Sequence, residues 1–494
     1  MNFRLINKVL GAILIIEAVF MLLPMAVALI CNEADWKFFL ITLLPSAGVG
    51  ALMFRTKVTS KKIYAKEGLV IVGTAWLLMS LIGAIPYLIS GFIPDFFDAI
   101  FESVSGFTTS GITICQDVEI ASHAMLFWRS LTHWIGGMGV LMFMLAISPI
   151  VGGSSIHLMR AEAPGPTTEK ITPKISQTAK WLYSMYIVLT GLEIIALTIS
   201  GLTVFQSTLI SFGTLATGGF SFLNSSLAAF SVAQQIIVEV FMILAGINFS
   251  LYFLVLTGKV KKVFRDIEFN WYLMVIIGAT VLISLNVLTA KDQFANVGEA
   301  IHQSAFAVIS SMTSTGFSAY DYNLWPGFTK VILLILMFIG GCAGSTAGGV
   351  KVSRFILVFK NLKRFIKEIF NPKSVNIVKY NGKKISDSVI KTATVYFSLI
   401  FVITFVSMLI VSLEPGMDIG TALSSVATTL NNNGIELKNA SVGGFYSFHW
   451  WTKLVYIINM LIGRLEIFPI TALFICILKP FNYAAKKIKR KTDF

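Results

Sequence analysis

Long apolar stretches separated by short polar connections make up most of this chain of 494 residues. A run of about 20 apolar residues is long enough to cross a bilayer as a helix. Stretches of this kind lie at residues 5–30, 36–54, 67–90, 124–150, 179–201, 232–258, 270–290, 329–365, 388–413 and 447–478. The pattern therefore predicts ten membrane-spanning helices.

Four shorter apolar segments lie after the third, fifth, seventh and ninth stretches, and each ends in a cluster of small polar residues. These segments are too short to cross a bilayer. Non-helical backbone at membrane depth is tolerated only where protein buries it or where it lines a watery cavity. We therefore expect four re-entrant segments, each a short pore helix followed by an extended tip.

The eighth stretch is interrupted at residues 339–354, which read IGGCAGSTAGGVKVSR. Each glycine in a helix interior costs about 1 kcal/mol relative to alanine. The glycines in this segment are Gly340, Gly341, Gly344, Gly348 and Gly349. We expect the helix to stop here and resume afterwards, with the unwound loop lining a pathway.

The four re-entrant tips read GFTTSGIT, TLATGGFS, MTSTGFSA and TLNNNGIE, at nearly even spacing. Such spacing predicts structural repeats. The predicted units are an N-terminal two-helix unit at 1–66 and pore repeats at 67–156, 157–268, 269–385 and 386–494, with an intramembrane gating loop at 340–350. The expected fold is an all-α polytopic membrane protein with two N-terminal helices and four helix–pore loop–helix repeats around a pseudo-fourfold central pore.

Four tips around one axis can jointly enclose a site for a single ion. Backbone carbonyl oxygens can replace the water shell of K⁺ without introducing fixed charge, and glycine allows the positive φ that turns a carbonyl inward. The alternative is that such clusters mark close helix packing, which four clusters in register disfavour. The candidate K⁺ filter residues are Thr109, Ser110, Gly111, Thr217, Gly218, Thr315, Gly316, Asn433 and Gly434.

Composition and charge support a membrane protein rather than a soluble one. Hydrophobic residues make up 55% of the chain and charged residues 13%. The net charge of +14 comes from basic residues in the connections, which argues against nucleic-acid binding and predicts that both termini are cytoplasmic. Acidic residues at the starts of pore helices, namely Asp98, Glu299 and Asp418, are expected either to cap those helices or to make an outer vestibule negative.

The residue types that carry catalysis or bind metals form no recognisable pattern here. Four cysteines and five histidines are scattered without ligand spacing, and no nucleotide-binding fingerprint occurs. We therefore expect no enzyme activity, no metal centre and no nucleotide on this chain. His133 is expected to be a packing contact rather than a ligand.

Seven motifs in order along the chain carry a family resemblance: SGFTTSGIT, THWIGGMGVL, ATGGFS, TSTGFS, GGCAGSTAGGVKVSR, LNNNG and IGRLEIFP. The chain resembles the TrkH/KtrB/HKT superfamily of potassium transporters over essentially its whole length, and the TrkH branch most. This resemblance implies potassium uptake across the bacterial cytoplasmic membrane. Gly111 implies K⁺ preference, because HKT members with serine in the first filter pass Na⁺. Ile435, where the family has proline, is expected to loosen the fourth tip.

The resemblance also implies roles for residues below the filter. The gate would consist of the loop residues Gly340, Gly341, Gly344, Ser345, Thr346, Gly348, Gly349 and Lys351. Arg464 would lie at the pore just below the filter and hinder free cation passage; the alternative is a structural ion pair with Glu466. Lys351 is expected either to pair with loop carbonyls or to reach the lipid headgroups. The implied partners are a second copy in a homodimer, a cytosolic TrkA-like nucleotide-binding ring, and membrane lipid.

Two alternatives concern the mode of transport. A secondary transporter with inverted repeats would need two matching broken spans, whereas the sequence predicts parallel repeats and one broken span. Passive flux and coupling to H⁺ or Na⁺ are both compatible with the sequence. Membrane-embedded acids such as Glu102, Glu193 and Glu239 are candidates for a proton relay, although isolated glutamates more often cap helices or form pairs.

Overall fold

The computed structural model describes residues 2–58, 65–137, 139, 175–289, 294, 296–374, 376–435, 437, 444–465, 467 and 470–471. Nearly all regular structure within these ranges is helical. The ends of the predicted repeats 1 and 4, the start of repeat 2, Glu466 and the C-terminal basic cluster lie outside the described residues.

The N-terminal unit is a hairpin of two long helices, α1 (Phe3–Ile30) and α2 (Trp36–Phe54). They approach closely where Gly11 faces Gly50: a β-carbon added to Gly11 would lie 2.6 Å from the carbonyl oxygen of Gly50. Small residues at a crossing allow close packing of membrane helices, which lack a hydrophobic drive toward each other in lipid. The predicted bounds of α2 are confirmed, and α1 begins two residues earlier than predicted.

The rest of the chain forms four units, each with a first helix, a short pore helix and a second helix. In chain order the helices are α3 (Ala65–Ser90), α4 (Phe96–Phe107) and α5 (His123–Gly137); α6 (Ile175–Ile199), α7 (Val204–Leu215) and α8 (Val232–Gly246); α11 (Ile267–Thr289), α12 (Val297–Met312) and α13 (Gly327–Ile339); and α15 (Asp387–Val411), α16 (Ile419–Leu430) and α17 (Trp450–Leu465). This arrangement confirms the expected repeat architecture.

Polar caps set where the pore helices begin. Asp95 accepts a hydrogen bond of 3.0 Å from the amide of Asp98 at the start of α4. The side chain of Asp418 does the same for Thr421 in α16, at 3.2 Å. These bonds satisfy amides that would otherwise lack an intrahelical partner. Of the three acids considered as caps, Asp418 is therefore one, whereas Asp98 instead forms an ion pair of 2.5 Å with Lys453.

Length and apolar character identify six described helices as membrane spans: α1, α2, α3, α6, α11 and α15. The sixth predicted stretch is not the continuous helix that we expected. It breaks after α8 and continues as α9 (Phe249–Leu256) at an angle of 94°, followed by α10 (Val260–Val263). The side chain of Asn248 restarts the helix by accepting from the amide of Ser250 at 2.9 Å.

The prediction of a single broken span is therefore wrong, because the eighth stretch is broken as well. As expected, that stretch stops at the end of α13, passes through a loop, and resumes as α14 (Val352–Phe370). The two breaks lie in the second helices of repeats 2 and 3. These repeats run in parallel, so the arrangement differs from the inverted repeats of many secondary transporters.

After α14 the chain forms a small β ribbon that we did not expect from the sequence. Strand β1 (Lys379–Tyr380) pairs antiparallel with β2 (Lys383–Lys384). The connecting residues Asn381 and Gly382 have φ of 47° and 75°. Asn-Gly is the strongest short hairpin signal, because both residues tolerate positive φ. Within the described residues, the regular structure is therefore helical except for this ribbon.

Two large hydrophobic clusters and two smaller ones hold the described helices together. One joins the N-terminal unit and repeat 1 to repeat 4, with Trp76, Trp128 and Tyr456 among its buried residues. The other joins repeats 2 and 3 and the start of α15, with Tyr272 and Phe306 at its centre. Buried residues of α4 and α16 belong to the first cluster, and those of α7 and α12 belong to the second.

Candidate functional site

Each pore helix ends in a tip that begins with the same unusual backbone conformation. A non-glycine residue in every tip has a φ in the left-handed region. These residues are Thr109 (55°), Thr217 (55°), Ser314 (57°) and Asn432 (51°). The conformation costs an L-residue roughly 1 kcal/mol or more. Its occurrence at four equivalent positions shows that one geometry is built four times.

The glycine two residues later defines the register of the tips. Gly111, Gly219 and Gly316 have φ of 75°, 79° and 85°, respectively. The glycine that matches Gly111 in backbone conformation is thus Gly219 and not Gly218, whereas Gly218 as a filter residue stays a prediction. The second tip has two consecutive glycines, and the left-handed Thr217 decides between them. Positive φ was also expected at Gly434, which does not adopt it.

The four tips form a closed ring. A β-carbon added to Gly111 would lie 1.9 Å from the carbonyl oxygen of Gly218, and one added to Gly219 would lie 2.0 Å from that of Thr315. A β-carbon added to Gly316 would lie 2.3 Å from the backbone nitrogen of Gly434. One added to Gly434 would lie 3.3 Å from the carbonyl oxygen of Gly111. Each tip thus touches the next, and the fourth returns to the first. A side chain at the first three glycines would collide with the neighbouring backbone.

A cavity of about 520 Å³ opens onto this ring, and we call it the mouth. Its lining includes the glycine of every tip: Gly111, Gly219, Gly316 and Gly434. Charged lining residues are Arg129 and Asp321, whereas Asp98, Glu299 and Asp418 do not line it. The mouth is therefore not made negative by the three acids that we considered for that role.

Beside the mouth, Asn224 links repeats 1 and 2. Its side-chain amide donates to Asp117 at 2.8 Å, and its side-chain oxygen accepts from the amide of Val118 at 2.9 Å. The hydrogen bond from Asn224, together with one from the amide of Glu119, lowers the pKa of the exposed Asp117 carboxyl. Asp117 is therefore anionic at neutral pH, which favours cations near the mouth.

Asparagine side chains connect the fourth tip to its neighbours. Asn432 donates from Nδ2 to the Ser110 hydroxyl at 2.7 Å, and Asn433 donates to the carbonyl oxygen of Ser311 at 2.9 Å. The amide of the buried Ile435 donates to Asn433 at 3.1 Å. The fourth tip is thus bonded to the first and third repeats, and the looser tip expected from Ile435 stays a prediction.

A buried ion pair that we did not predict supports the first two tips. Arg129 donates from Nε to Glu102 at 2.7 Å, and both side chains are at most 2% exposed. Glu102 also accepts from the amide of Ile114 at 2.9 Å, just after the first tip. Arg129 further donates to the carbonyl oxygen of Ser221 at 3.3 Å, just after the second tip. The pair therefore fixes the position of two neighbouring tips.

His133 also supports the second tip. Its ring stacks on Phe220 with 4.0 Å between centroids, and the guanidinium of Arg129 lies 4.2 Å from the centre of the same ring. A β-carbon on Gly218 would lie 2.2 Å from His133 Nδ1. His133 is thus a packing contact, as predicted. Gly218 is required here for close approach rather than for positive φ.

The loop between α13 and α14, residues 340–351, lies against the ends of the pore helices, on the side opposite the mouth. Thr346 donates from its hydroxyl to the carbonyl oxygen of Leu215, the last residue of α7, at 2.9 Å. The amide of Gly349 donates to the carbonyl oxygen of Asn431 after α16, at 3.2 Å. The amide of Gly348 donates to the Ser314 hydroxyl in the third tip.

The loop also packs on the break between α8 and α9. The amide of Cys342 donates to the carbonyl oxygen of Gly246 at 2.9 Å, and the amide of Phe249 donates to that of Gly344 at 3.1 Å. Within the loop, the Ser345 hydroxyl donates to the carbonyl oxygen of Cys342 at 2.6 Å. The two broken spans therefore satisfy each other's backbone groups, as unwound backbone at membrane depth requires.

Glycine is needed in the loop both for conformation and for space. Positive φ occurs at Gly340 (72°), Gly344 (74°), Gly349 (74°) and the non-glycine Lys351 (79°). A β-carbon on Gly348 would lie 2.3 Å from the carbonyl oxygen of Asn431, and one on Gly341 would lie 2.6 Å from the β-carbon of Ala347. Lys351 donates to the carbonyl oxygen of Ala347 and so pairs with the loop, which was one of its two expected roles.

Arg464 on α17 connects the loop to repeat 1. One guanidinium nitrogen donates to the carbonyl oxygen of Thr346 at 2.7 Å, and another donates to that of Gly136 at 2.7 Å. Arg464 thus contacts the loop directly. Glu466, its alternative partner, lies outside the described residues.

The three glutamates considered for a proton relay have different surroundings. Glu102 is paired with Arg129, as described above. Glu239 on α8 lies 3.3 Å from Nε2 of His302, and Glu193 on α6 is fully buried. No group of three or more His, Cys, Asp or Glu side chains suited to a metal ion comes together in the part of the chain that the structure describes. Backbone carbonyl oxygens that meet in the ring of tips are candidate cation ligands.

Comparison with known proteins agrees with this geometry. The family model for TrkH, described as a cation transport protein, matches residues 35–484. The chain belongs to the TrkH family of cation transport proteins. The Trk system potassium uptake protein TrkH of Escherichia coli K12 is 35% identical over 480 residues, covering 96% of this chain and 99% of that protein.

Other relatives in this family cover the chain to the same extent. TrkH of Halomonas elongata is 33% identical over 483 residues, covering 96% of this chain and 98% of that protein. The crystal structure of the potassium transporter TrkH from Vibrio parahaemolyticus superimposes with a TM-score of 0.86 at 32% identity, covering 96% of this chain and 98% of that one. The fold of a polytopic membrane transporter is therefore shared along nearly the whole chain.

Proposed function

We propose that this protein takes up K⁺ across the bacterial cytoplasmic membrane through the pore enclosed by its four tips. The closed ring of backbone at Gly111, Gly219, Gly316 and Gly434 is the observation that carries this proposal. A ring of carbonyl oxygens replaces the hydration shell of K⁺. The relatives named as potassium uptake proteins support this choice of ion.

In the proposed orientation, the mouth faces outward and both termini are cytoplasmic. The connections on the side of the loop carry many lysines and arginines, as the positive-inside rule requires. Asp117 and Glu119 lie beside the mouth, on the opposite side. Each pore helix then directs its negative C-terminal end toward the interior of the pore, which favours a cation there.

The loop at residues 340–351 acts as the gate beneath the filter. Its hydrogen bonds to Leu215, Ser314 and Asn431 place it under the ends of three pore helices. Small residues allow such a loop to move without displacing large side chains. The left-handed Lys351 stores roughly 1–3 kcal/mol of strain at the end of the loop, which lowers the cost of leaving this conformation.

Arg464 holds the gate closed and adds a positive charge near the ion path. Its two hydrogen bonds, to Thr346 and to Gly136, connect the gate to repeats 4 and 1. A cation that leaves the filter toward the cytoplasm would meet this charge. The arginine thus slows flux until the loop moves.

Assembly follows the family resemblance. We propose a homodimer in membrane lipid, regulated by a cytosolic TrkA-like nucleotide-binding ring that docks on the basic cytoplasmic side. The chain itself carries no nucleotide fingerprint, so nucleotide control must come from that partner. Repeat boundaries at 67–156, 157–268, 269–385 and 386–494 are retained as proposed units.

The test is ion flux in liposomes that contain the purified protein. Uptake of K⁺ and of Na⁺ is measured separately under the same gradient, in the intact protein and in a variant that lacks the gate residues between Gly341 and Gly349. We expect K⁺ uptake to exceed Na⁺ uptake by about tenfold or more, a difference of about 1.4 kcal/mol. Equal uptake of the two ions by a well-assembled protein would contradict the proposal.

A further inference from the structure

A single buried carboxylate holds both ends of the loop. Glu268, the second residue of α11, accepts from the amide of Ala343 at 2.6 Å and from the amide of Ser353 at 3.1 Å. Both bonds reach the same oxygen, Oε1. Ala343 lies near the start of the loop, and Ser353 lies in the first turn of α14. Glu268 is only 5% exposed, so these bonds are shielded from water.

The other oxygen of the same carboxylate is bonded to the β ribbon. The hydroxyl of Tyr380 on β1 donates to Glu268 Oε2 at 3.2 Å. The turn of the ribbon is fixed to the adjacent chain as well: Asn381 donates to Asp266 at 2.7 Å and accepts from the amide of Ile267 at 2.9 Å. The ribbon therefore bonds to three consecutive residues at the start of α11.

We propose that Glu268 is the positioning residue that keeps the gate loop in its present conformation, and that the ribbon at residues 379–384 controls it through the Tyr380 hydroxyl. The proposal rests on the gating role of the loop. A carboxylate that accepts backbone amides forms charge-assisted bonds, which are about twice as strong as neutral ones. Replacing Glu268 with glutamine keeps one acceptor oxygen but removes the charge, which weakens the buried bonds from the amides of Ala343 and Ser353, so other loop conformations gain population.

The ribbon can exert this control because its other side is accessible. Lys379, Lys383 and Lys384 are exposed, whereas Tyr380 between them is 2% exposed and points to Glu268. A displacement of the ribbon away from α11 breaks the bond from the Tyr380 hydroxyl to Glu268. The carboxylate is then free to rotate away from the loop amides. The ribbon and the loop are thus two ends of one hydrogen-bonded chain.

The loop contains its own reporter of opening. Cys342 directly precedes Ala343 and has no exposed surface. Its amide is bonded to Gly246, so the thiol becomes accessible only when the loop leaves the break between α8 and α9. With Cys31, Cys115 and Cys476 replaced by alanine, the labelling rate of the remaining thiol measures opening independently of ion flux.

The experiment uses the full chain in liposomes and compares Glu268→Gln, Tyr380→Phe and the double variant. Glu368→Gln and Tyr446→Phe are the matched controls, because Glu368 is half-buried and pairs with Arg364, Tyr446 is exposed, and both lie outside the loop contacts. The readouts are K⁺ flux, the ratio of K⁺ to Na⁺ flux, and the rate of Cys342 labelling. Size-exclusion behaviour in detergent monitors assembly.

We expect Glu268→Gln to raise K⁺ flux and Cys342 labelling about tenfold, and Tyr380→Phe to raise both about threefold, the sizes expected for charge-assisted and ordinary hydrogen bonds. The flux ratio should stay unchanged, because the filter is not touched. Tyr380→Phe should add nothing in the Glu268→Gln background, because the hydroxyl acts through that carboxylate. The two control variants should behave as the parent protein does.

Unchanged labelling and flux in a well-assembled Glu268→Gln protein would overturn the proposal. So would a Tyr380→Phe effect that persists undiminished in the double variant. If Glu268→Gln does not assemble, Tyr380→Phe decides alone, since it removes only one hydroxyl, and unchanged Cys342 labelling then refutes control by the ribbon.

If deletion of the loop fails to raise K⁺ flux, the gating role of the loop itself is refuted. A deletion that raises flux while both point variants remain silent refutes only the role of Glu268.

Discussion

Arg464 on α17 donates a hydrogen bond of 2.7 Å to the carbonyl oxygen of Thr346, in the loop between α13 and α14. The motif IGR at residues 462–464 corresponds to IGG at 135–137 in repeat 1 and at 339–341 in repeat 3. Gly136 and Gly463 each lie against the last residue of the pore helix in their own repeat. A β-carbon added to Gly136 would lie 1.9 Å from the carbonyl oxygen of Phe107, and one added to Gly463 would lie 2.2 Å from that of Leu430. An arginine thus occupies a position where the other two motifs have glycine.

Replacing Arg464 with alanine should raise K⁺ flux, because it removes a positive charge near the path and two bonds that hold the loop. A hydrogen bond to a charged group contributes about 1.5–3 kcal/mol, so a rise of tenfold or more is expected. Flux in liposomes is the measurement, with Arg364→Ala on α14 as the control. Unchanged or lower flux in a folded protein would make Arg464 purely structural.

Replacing Gly111 with serine should reduce the preference for K⁺ over Na⁺. A β-carbon at Gly111 would lie 1.9 Å from the Gly218 carbonyl oxygen, so the ring must open or shift. Gly219→Ser should have the same effect, at 2.0 Å from the Thr315 carbonyl oxygen. The measurement is the ratio of K⁺ to Na⁺ flux.

The matched control for these variants is Gly91→Ser. Gly91 has a similar φ of 76°, but an added β-carbon meets nothing within 4 Å. It carries the same backbone strain without the collision, so selectivity should not change. A selectivity loss in Gly91→Ser as large as in Gly111→Ser would show that strain alone is responsible and would undermine the filter assignment.

Deleting residues between Gly341 and Gly349 should leave a protein that assembles and conducts K⁺ without a cytosolic partner. The obstruction is then gone, while the four tips remain. If the loop were only a kink, its loss would shift α14 and destabilise the fold. Flux and size-exclusion behaviour are measured together. Low but selective K⁺ flux in a well-assembled protein would place the barrier elsewhere.

Removing one member of the Glu102–Arg129 pair should destabilise the protein more than removing both. An uncompensated buried charge costs about 3–5 kcal/mol, whereas replacing a whole buried pair is often close to neutral. Glu102→Gln and Arg129→Gln should therefore each lower the thermal midpoint in detergent more than the double variant does. If the decrease in thermal midpoint of the double variant equals the sum of the decreases in the two single variants, the two charges do not depend on each other.

The sequence was sufficient to predict features that depend on local physics. Membrane thickness sets the length of a span, and this gave the bounds of α1, α2 and α3 to within two residues. Because glycine destabilises a helix interior, the glycine cluster predicted that the helix would stop and a loop begin, and α13 does end at Ile339. The four tips were found because small polar residues recur at even spacing.

Other features depend on contacts between distant parts of the chain. The break after Gly246 has no glycine cluster to mark it; it is fixed by the cap at Asn248 and by bonds to a loop that comes much later in the sequence. The side chain of Glu268 accepts hydrogen bonds from Ala343, 75 residues away, and from Tyr380, 112 residues away. The register of the second tip required the φ of Thr217, because two adjacent glycines are equivalent in the sequence.

The most direct test of the central claim is anomalous diffraction from crystals of this protein grown with Rb⁺ in place of K⁺. The proposed pore predicts an anomalous peak on the axis between the mouth and the loop, within coordination distance of carbonyl oxygens of all four tips at Gly111, Gly219, Gly316 and Gly434. That peak should be lost when Rb⁺ is exchanged for Na⁺. Rb⁺ bound only elsewhere, with none between the tips, would contradict the account.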